Sequence, residues 1–161
     1  DTLTTEKSVN LFEKFGIFTK TELESRAEVL YETYAKTINI EALTMIDMAS
    51  KQYVPAIVKY TKSLADTVVA VKDAGADAQV QTEILKAVNG KLGEVKSALE
   101  KLEEAEAKAA AMDNVKDQAF FYKDVVKTAM DELRAPVDEV EMMVDKKAWP
   151  VPSYADLMFE V

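Results

Sequence analysis

The stretch Thr37–Tyr53, TINIEALTMIDMASKQY, decides how this chain folds. A helix on a protein surface usually has an apolar stripe on one side only. In this stretch, the apolar side chains point in nearly every direction around a helix: Ile38, Ile40, Ala42, Leu43, Met45, Ile46, Met48 and Ala49. We therefore expect a helix that is covered on more than one side.

The composition favours long helices and excludes several kinds of site. The chain has 161 residues with only 4 Gly and 4 Pro, which is typical of helical rather than loop-rich proteins. It has no Cys and no His, which excludes disulfides, thiolate or imidazole metal sites and histidine-based catalytic triads. The net charge of −9 argues against nucleic acid and anionic membrane surfaces as partners.

No targeting or membrane segment is apparent. No apolar run approaches the roughly 20 residues of a membrane-spanning helix, and no signal peptide is recognisable, so we expect a cytoplasmic location. The chain opens with Asp1 rather than Met, which leads us to expect a fragment of a larger or processed protein.

Local signals predict a single helical domain over residues 1–161. Thr19 and Glu22 form a capping-box pattern, and Gly16 and Gly75 suit the residues that end helices. The predicted elements are a short helix within 1–16, long helices over 20–72, 78–112 and 115–147, and a docking tail over 148–161.

The prolines and short connections predict the shape. Pro55 and Pro136 fall inside helical patterns and should kink them, whereas Gly90 and Gly93 are either weak points or close-packing sites. The segments 73–77 and 113–114 are short enough to join antiparallel neighbours only. We expect an all-α fold: an elongated antiparallel bundle of three long helices, the first kinked at Pro55, with short helices at both ends. Residues 20–40 should overhang this bundle unless the N-terminal helix folds against them.

No residue pattern predicts catalysis, cofactor binding or metal binding. Phosphate loops, nucleophile elbows and kinase signatures are absent from the sequence. The polar residues Glu41 and Asp47, with Lys36 or Lys51, interrupt the apolar stretch, and we interpret them as ion pairs or partner contacts rather than catalytic groups.

An interface is the functional feature that the sequence does predict. The candidate interface residues are Ile38, Ile40, Leu43, Ile46, Met48, Tyr53, Trp149, Tyr154 and Phe159. For the tail residues Trp149, Tyr154 and Phe159 two alternatives stay open: docking on a separate hydrophobic surface, or packing on the chain's own bundle.

Three blocks of sequence are similar to a known family. They are LFEKFGIFTKTELESR (11–26), YAKTINIEALTMIDMASKQYVPAIVKYTK (34–62) and WPVPSYADLMFEV (149–161). These blocks closely resemble the carboxyl-terminal region of type III glutamine synthetases, the large bacterial form of the enzyme. The similarity extends over essentially the whole chain and is loosest in its Ala/Glu/Lys-rich middle.

The resemblance implies a parent enzyme of nitrogen metabolism that joins ammonia to glutamate with ATP and Mg²⁺ or Mn²⁺. It also implies large rings, typically dodecamers, in which this domain meets the catalytic domain of its own polypeptide and neighbouring subunits. The family's metal, nucleotide and glutamate ligands lie upstream of this region, so no catalytic residue is transferred to this chain, and we expect the chain alone to be inactive. A free-standing helical scaffold or interaction module is the alternative.

Overall fold

The computed structural model describes residues 2–152 and 154–159, and in these residues it contains helices and turns without a strand. The all-α prediction is therefore confirmed. A 3₁₀ turn at Thr2–Thr4 precedes α1 (Glu6–Lys14), α2 (Lys20–Met48), α3 (Val54–Asp73), α4 (Gln79–Ala110), α5 (Val115–Phe121), α6 (Lys127–Glu141) and α7 (Tyr154–Phe159). Two π-helical turns, π1 (Ala49–Tyr53) and π2 (Tyr122–Val126), join α2 to α3 and α5 to α6.

Side-chain caps and left-handed glycines define several helix ends. At the start of α2 the Glu22 amide donates to the Thr19 hydroxyl at 3.4 Å, and the Thr19 amide donates to the Glu22 carboxylate at 2.8 Å. Gly16 and Gly75 follow α1 and α3 with φ of 63° and 77°, a conformation that favours glycine. The Asp77 carboxylate accepts the Gln79 amide at 3.0 Å before α4.

Pro55 changes the helix type instead of breaking the helix. Pro55 is the second residue of α3, directly after π1, and the Val54 amide donates to the Ala49 carbonyl five residues back. In a regular α-helix the proline ring would clash with the carbonyl of Lys51. The wider π-helical turn accommodates the ring, so the helical path continues from Lys20 to Asp73.

The third predicted helix, over 115–147, differs from the observed one in two ways. Its irregular turn is π2, upstream of Pro136, and α6 continues through Pro136. It also ends at Glu141, because the amides of Met143 and Val144 both donate to the Val140 carbonyl at 3.0 Å and close a tight turn.

Contacts between helices define their relative directions. Lys91 and Lys101 of α4 pair with Glu139 and Glu132 of α6 at 2.6 and 3.3 Å. Increasing residue numbers in α4 therefore meet decreasing numbers in α6, and these two helices are antiparallel. In contrast, α2 runs in the same direction as the third helical run: the ring of Tyr31 lies beside Phe120, and that of Tyr53 beside Trp149.

The main core lies between the α2–α3 run, α4 and the run from α5 to α6. Its fully buried side chains include Ile57, Val88, Val95, Leu102, Tyr122, Val126 and Val140. The overhanging start of α2 is covered by the N-terminal elements, which contact it, and Leu23 is fully buried there. Gly90 and Gly93 are not close-packing sites within this chain, because a Cβ at either position would meet no heavy atom within 4 Å.

Candidate interaction surface

One side of α2 is exposed although it carries several apolar and threonine side chains, with the charged Lys36 and Asp47 between them. We call this side the outer face of α2, and it consists of Val29, Thr33, Thr37, Ile40, Leu43 and Thr44. Ile40 is 66% exposed and Leu43 is 47% exposed, whereas Ala35, Ile38 and Ala42 on the opposite side are buried in the core. Within this chain Ile40 and Leu43 are left largely exposed, and the additional cover that the sequence leads us to expect on this side stays a prediction.

The threonines of the outer face increase its apolar character. Each hydroxyl donates to the carbonyl four residues back: Thr33 to Val29 at 2.8 Å, Thr37 to Thr33 at 2.9 Å and Thr44 to Ile40 at 2.7 Å. A hydroxyl used in this way is satisfied within its own helix. The outer face consequently contributes methyl groups, and its threonine donors need no partner from outside.

The charged residues near this face form local ion pairs. Lys36 contacts Glu32 at 2.6 Å, and Lys51 pairs with Asp47, both on the exposed surface of the helix. Glu41 is exposed. Exposed pairs of this kind contribute little stability. Asp47, Lys36 and Lys51 therefore match the interpretation as ion pairs, and nothing gathers them into a catalytic group.

The predicted interface residues separate into three groups. Ile40, Leu43 and Phe159 are exposed, and Ile46, Met48, Tyr53 and Trp149 are half-buried. Ile38 is buried in the chain's own core, because it lies on the inner side of α2, so its assignment to an interface is corrected. The side chain of Tyr154 lies outside the described part of the structure.

The tail is divided between the two alternatives that its sequence left open. Its base packs on the chain's own bundle: the Trp149 ring stacks on Tyr53, with 5.2 Å between ring centroids and 21° between planes. Burial raises the pKa of Tyr53, with smaller contributions from the charges of Glu141 and Asp138. Its tip is exposed, with Leu157 and Met158 each at 67% and Phe159 at 78%.

A cavity of about 250 Å³ lies between π1 and α6. We call it the π1 cavity, and its apolar lining consists of Met45, Met48, Ala49, Tyr53, Leu133 and Val137. Arg134 and Asp138 also border it and pair with each other at 3.2 Å. The sequence pattern predicted Met48 and Tyr53 of this cavity as interface residues, but it predicted neither the α6 side of the cavity nor the exposed Leu157 and Met158.

Residues 2–152 and 154–159 lack the side-chain arrangements of two further kinds of site. No group of three or more acidic side chains in these ranges is arranged to hold a metal ion. Among the helices described, none combines the length and apolar character needed to cross a membrane.

Comparisons with known proteins identify relatives over the whole chain. Residues 1–72 match the family model described as the glutamine synthetase C-terminal domain. A glutamine synthetase of Butyrivibrio fibrisolvens is 36% identical over 97% of this chain and 23% of its own length. A type-3 glutamine synthetase of Dictyostelium discoideum is 32% identical over 98% and 22%. A glutamine synthetase of Bacteroides fragilis (strain YCH46) is 29% identical over 89% and 20%. The chain thus spans less than a quarter of the length of these relatives.

Proposed function

Because this chain belongs to the family of glutamine synthetase C-terminal domains, we propose that it is a non-catalytic helical domain of a larger type III enzyme. The parent enzyme makes glutamine from glutamate, ammonia and ATP, and its ATP and its Mg²⁺ or Mn²⁺ bind outside this chain. The role of the domain is to dock on the catalytic domain of the same polypeptide and to support oligomer assembly in the cytoplasm.

The outer face of α2 is the observation that carries this proposal. Ile40 and Leu43 are largely exposed there, and the neighbouring threonine hydroxyls are satisfied inside the helix. An apolar surface that its own fold leaves exposed is typical of a protein interface. Full burial of a large aliphatic side chain contributes about 1.5–3 kcal/mol. A partner that covers Ile40 and Leu43 therefore gains a substantial part of the binding free energy that a stable contact needs.

The test is the double variant Ile40→Glu with Leu43→Glu, made both in this chain and in the full polypeptide that the gene encodes. Both residues are exposed, so the variant should keep the helical content and thermal midpoint of this chain. In the full polypeptide it should weaken ring assembly or domain docking, measured by sedimentation velocity and limited proteolysis.

A matched control is Val58→Glu with Val69→Glu on α3. These residues are 50% and 58% exposed and receive the same two added charges away from the outer face. The proposal requires assembly to fail in the α2 variant and to survive in the α3 variant. Unfolding of the isolated α2 variant would identify Ile40 and Leu43 as core residues, and unchanged assembly would rule out an interface at this face.

A free-standing helical scaffold or interaction module is the second candidate, since the described fold does not itself contain a catalytic constellation. The two candidates predict different coding sequences upstream of Asp1. An open reading frame that continues several hundred residues upstream with strand-rich motifs supports the synthetase, whereas a start codon near Asp1 supports the module.

A further inference from the structure

We propose that one side of α1, formed by Lys7, Leu11, Lys14 and Phe15, is a docking site for an acidic and apolar segment of the same polypeptide upstream of Asp1. We call this side the basic–apolar face of α1. The inference rests on the proposed function in one respect, namely that this chain is the C-terminal domain of a longer enzyme. It names a surface that is distinct from the outer face of α2.

The four side chains share one face because they are spaced by three or four positions, which places them on the same side of a helix. All four are exposed, with Leu11 at 53% and Phe15 at 66%. The other side of α1 holds the helix to the domain: Val9 is buried there, and the ring of Phe12 lies 5.8 Å from that of Phe18. The basic–apolar face is therefore accessible to another part of the protein.

The charge of this face is opposite to that of the whole chain. The chain has a net charge of −9, yet this face presents two ammonium groups beside two apolar side chains. Within residues 2–152 and 154–159, neither Lys7 nor Lys14 forms an ion pair through its side chain, and the Glu13 carboxylate of the same helix accepts the Lys20 amide at 3.1 Å instead. Complementary charge determines which partners bind, so the segment that covers this face should combine carboxylates with apolar side chains.

The small size of the face favours a segment of the same polypeptide over a second copy or a separate protein. The helix α1 has nine residues, whereas a stable interface between separate molecules involves roughly 20–30 residues on each side. A covalently joined segment meets the face at an effective concentration in the millimolar range, so a small contact is sufficient to hold it. The chain enters α1 directly from its upstream side, through the turn at Thr2–Thr4 that packs on α2.

The chain's own tail is too short to cover this face. Phe15 lies just before α2 begins at Lys20, whereas the base of the tail is fixed where Trp149 stacks on Tyr53. Lys20 and Tyr53 are 33 positions apart along one helical path, which is about 50 Å at a rise of 1.5 Å per residue. The ten residues that follow Trp149, up to Phe159, span at most about 35 Å when fully extended, and the helix α7 shortens that reach.

The first experiment is photo-crosslinking in the full polypeptide that the gene encodes. The photoreactive residue p-benzoylphenylalanine replaces Phe15 and, in a matched control, Val69, which is 58% exposed on α3. Assemblies reconstituted from isotope-labelled and unlabelled subunits distinguish cross-links within one polypeptide from cross-links between two. We expect position 15 to cross-link within its own polypeptide to an upstream segment that contains Asp or Glu, and position 69 to reach that segment at least about tenfold less.

The second experiment reverses the charge of the face with Lys7→Glu and Lys14→Glu. The two positions lie near opposite ends of α1, so their changed interactions with the helix dipole oppose each other, and the thermal midpoint of this chain should stay the same. In the full polypeptide we expect protease cleavage just upstream of Asp1 to become at least about tenfold faster, because cleavage follows the population of the undocked form. Cleavage should stay slow in Lys7→Arg with Lys14→Arg, which keeps the charge, and in the control Lys59→Glu with Lys86→Glu, which adds the same charges at exposed positions of α3 and α4.

Several results would overturn the proposal. Cross-links from position 15 to another subunit would assign the face to an interface between copies, and cross-links to residues 148–161 would assign it to the chain's own tail. Equal cross-linking from position 69, or unchanged cleavage of the Lys7→Glu and Lys14→Glu variant, would exclude docking at this face. These results leave the proposed function standing, because the outer face of α2 is tested with other residues, whereas a gene that encodes nothing upstream of Asp1 would overturn both.

Discussion

Replacing Gly90 and Gly93 with alanine should stabilise this chain. Both glycines lie inside α4, neither has a positive φ, and an added Cβ at either position would meet no heavy atom within 4 Å. Alanine is favoured over glycine in a helix interior by about 0.8–1 kcal/mol. The double variant should therefore gain about 1.5–2 kcal/mol, which for a protein of this size raises the thermal midpoint by about 3–8 °C.

Gly75→Ala is the matched control for this prediction. Its surroundings are equally open, but its φ is +77°, a left-handed conformation that costs a residue with a Cβ roughly 1–2 kcal/mol. The free energy of unfolding from urea denaturation and the thermal midpoint from circular dichroism should thus rise for Gly90→Ala with Gly93→Ala and fall for Gly75→Ala. If Gly90→Ala with Gly93→Ala lowers the free energy of unfolding, these glycines contact another part of the protein or a second copy, and the reasoning is refuted.

Two further predictions concern pH. Hydrogen bonds from the Thr19 backbone amide and, to a smaller extent, from the Thr19 hydroxyl lower the pKa of Glu22 below its ordinary value of 4.5. The stability that the Glu22 carboxylate contributes to the fold is therefore present above that value and is lost as pH falls through the lowered pKa. The thermal midpoint of Glu22→Ala should lie below that of the unmodified chain at neutral pH and converge with it in acid, and a constant difference would contradict this. Burial raises the pKa of Tyr53 above 10.0, so stability should be lost as pH rises beyond about 10, and Tyr53→Phe should reduce that loss. The emission of Trp149, the single tryptophan, reports this transition, and identical alkaline melts of both proteins would argue against the assignment.

The features that the sequence predicted well depend on a few neighbouring residues. The capping box of Thr19 and Glu22 and the left-handed Gly16 and Gly75 form as expected. Each is determined by backbone groups within one helical turn. The buried residues Val95, Leu99 and Leu102 of α4 lie on one side of that helix, where a spacing of threes and fours puts apolar residues.

The features that the sequence could not predict are two local irregularities of the helices and the choice of which side of α2 faces the core. The π-helical turn before Pro55 is one of two ways to accommodate a proline, and the sequence gives no preference for it over a plain kink. The end of α6 at Glu141 depends on a turn that closes on the Val140 carbonyl, within a pattern that is still helical. The apolar character of the 37–53 stretch was evident, but which of its residues face the core depends on the position of α5 and π2.

No Asp, Glu, Lys, Arg, Asn, Gln, Ser or Thr among the described residues is buried as a whole, and this has a consequence for how the helices are aligned along their axes. A buried polar pair can fix the register of neighbouring helices, since a shifted alignment would leave it unsatisfied. In this bundle the register of the helices therefore depends on the sizes of the buried side chains. Tyr122 is fully buried in the same cluster as the small residues Ala105 and Ala109 of α4. Sliding α4 by one turn, about 5.4 Å, would change which large and small side chains meet in this cluster, so the sizes of the buried side chains help to set the axial alignment of the bundle.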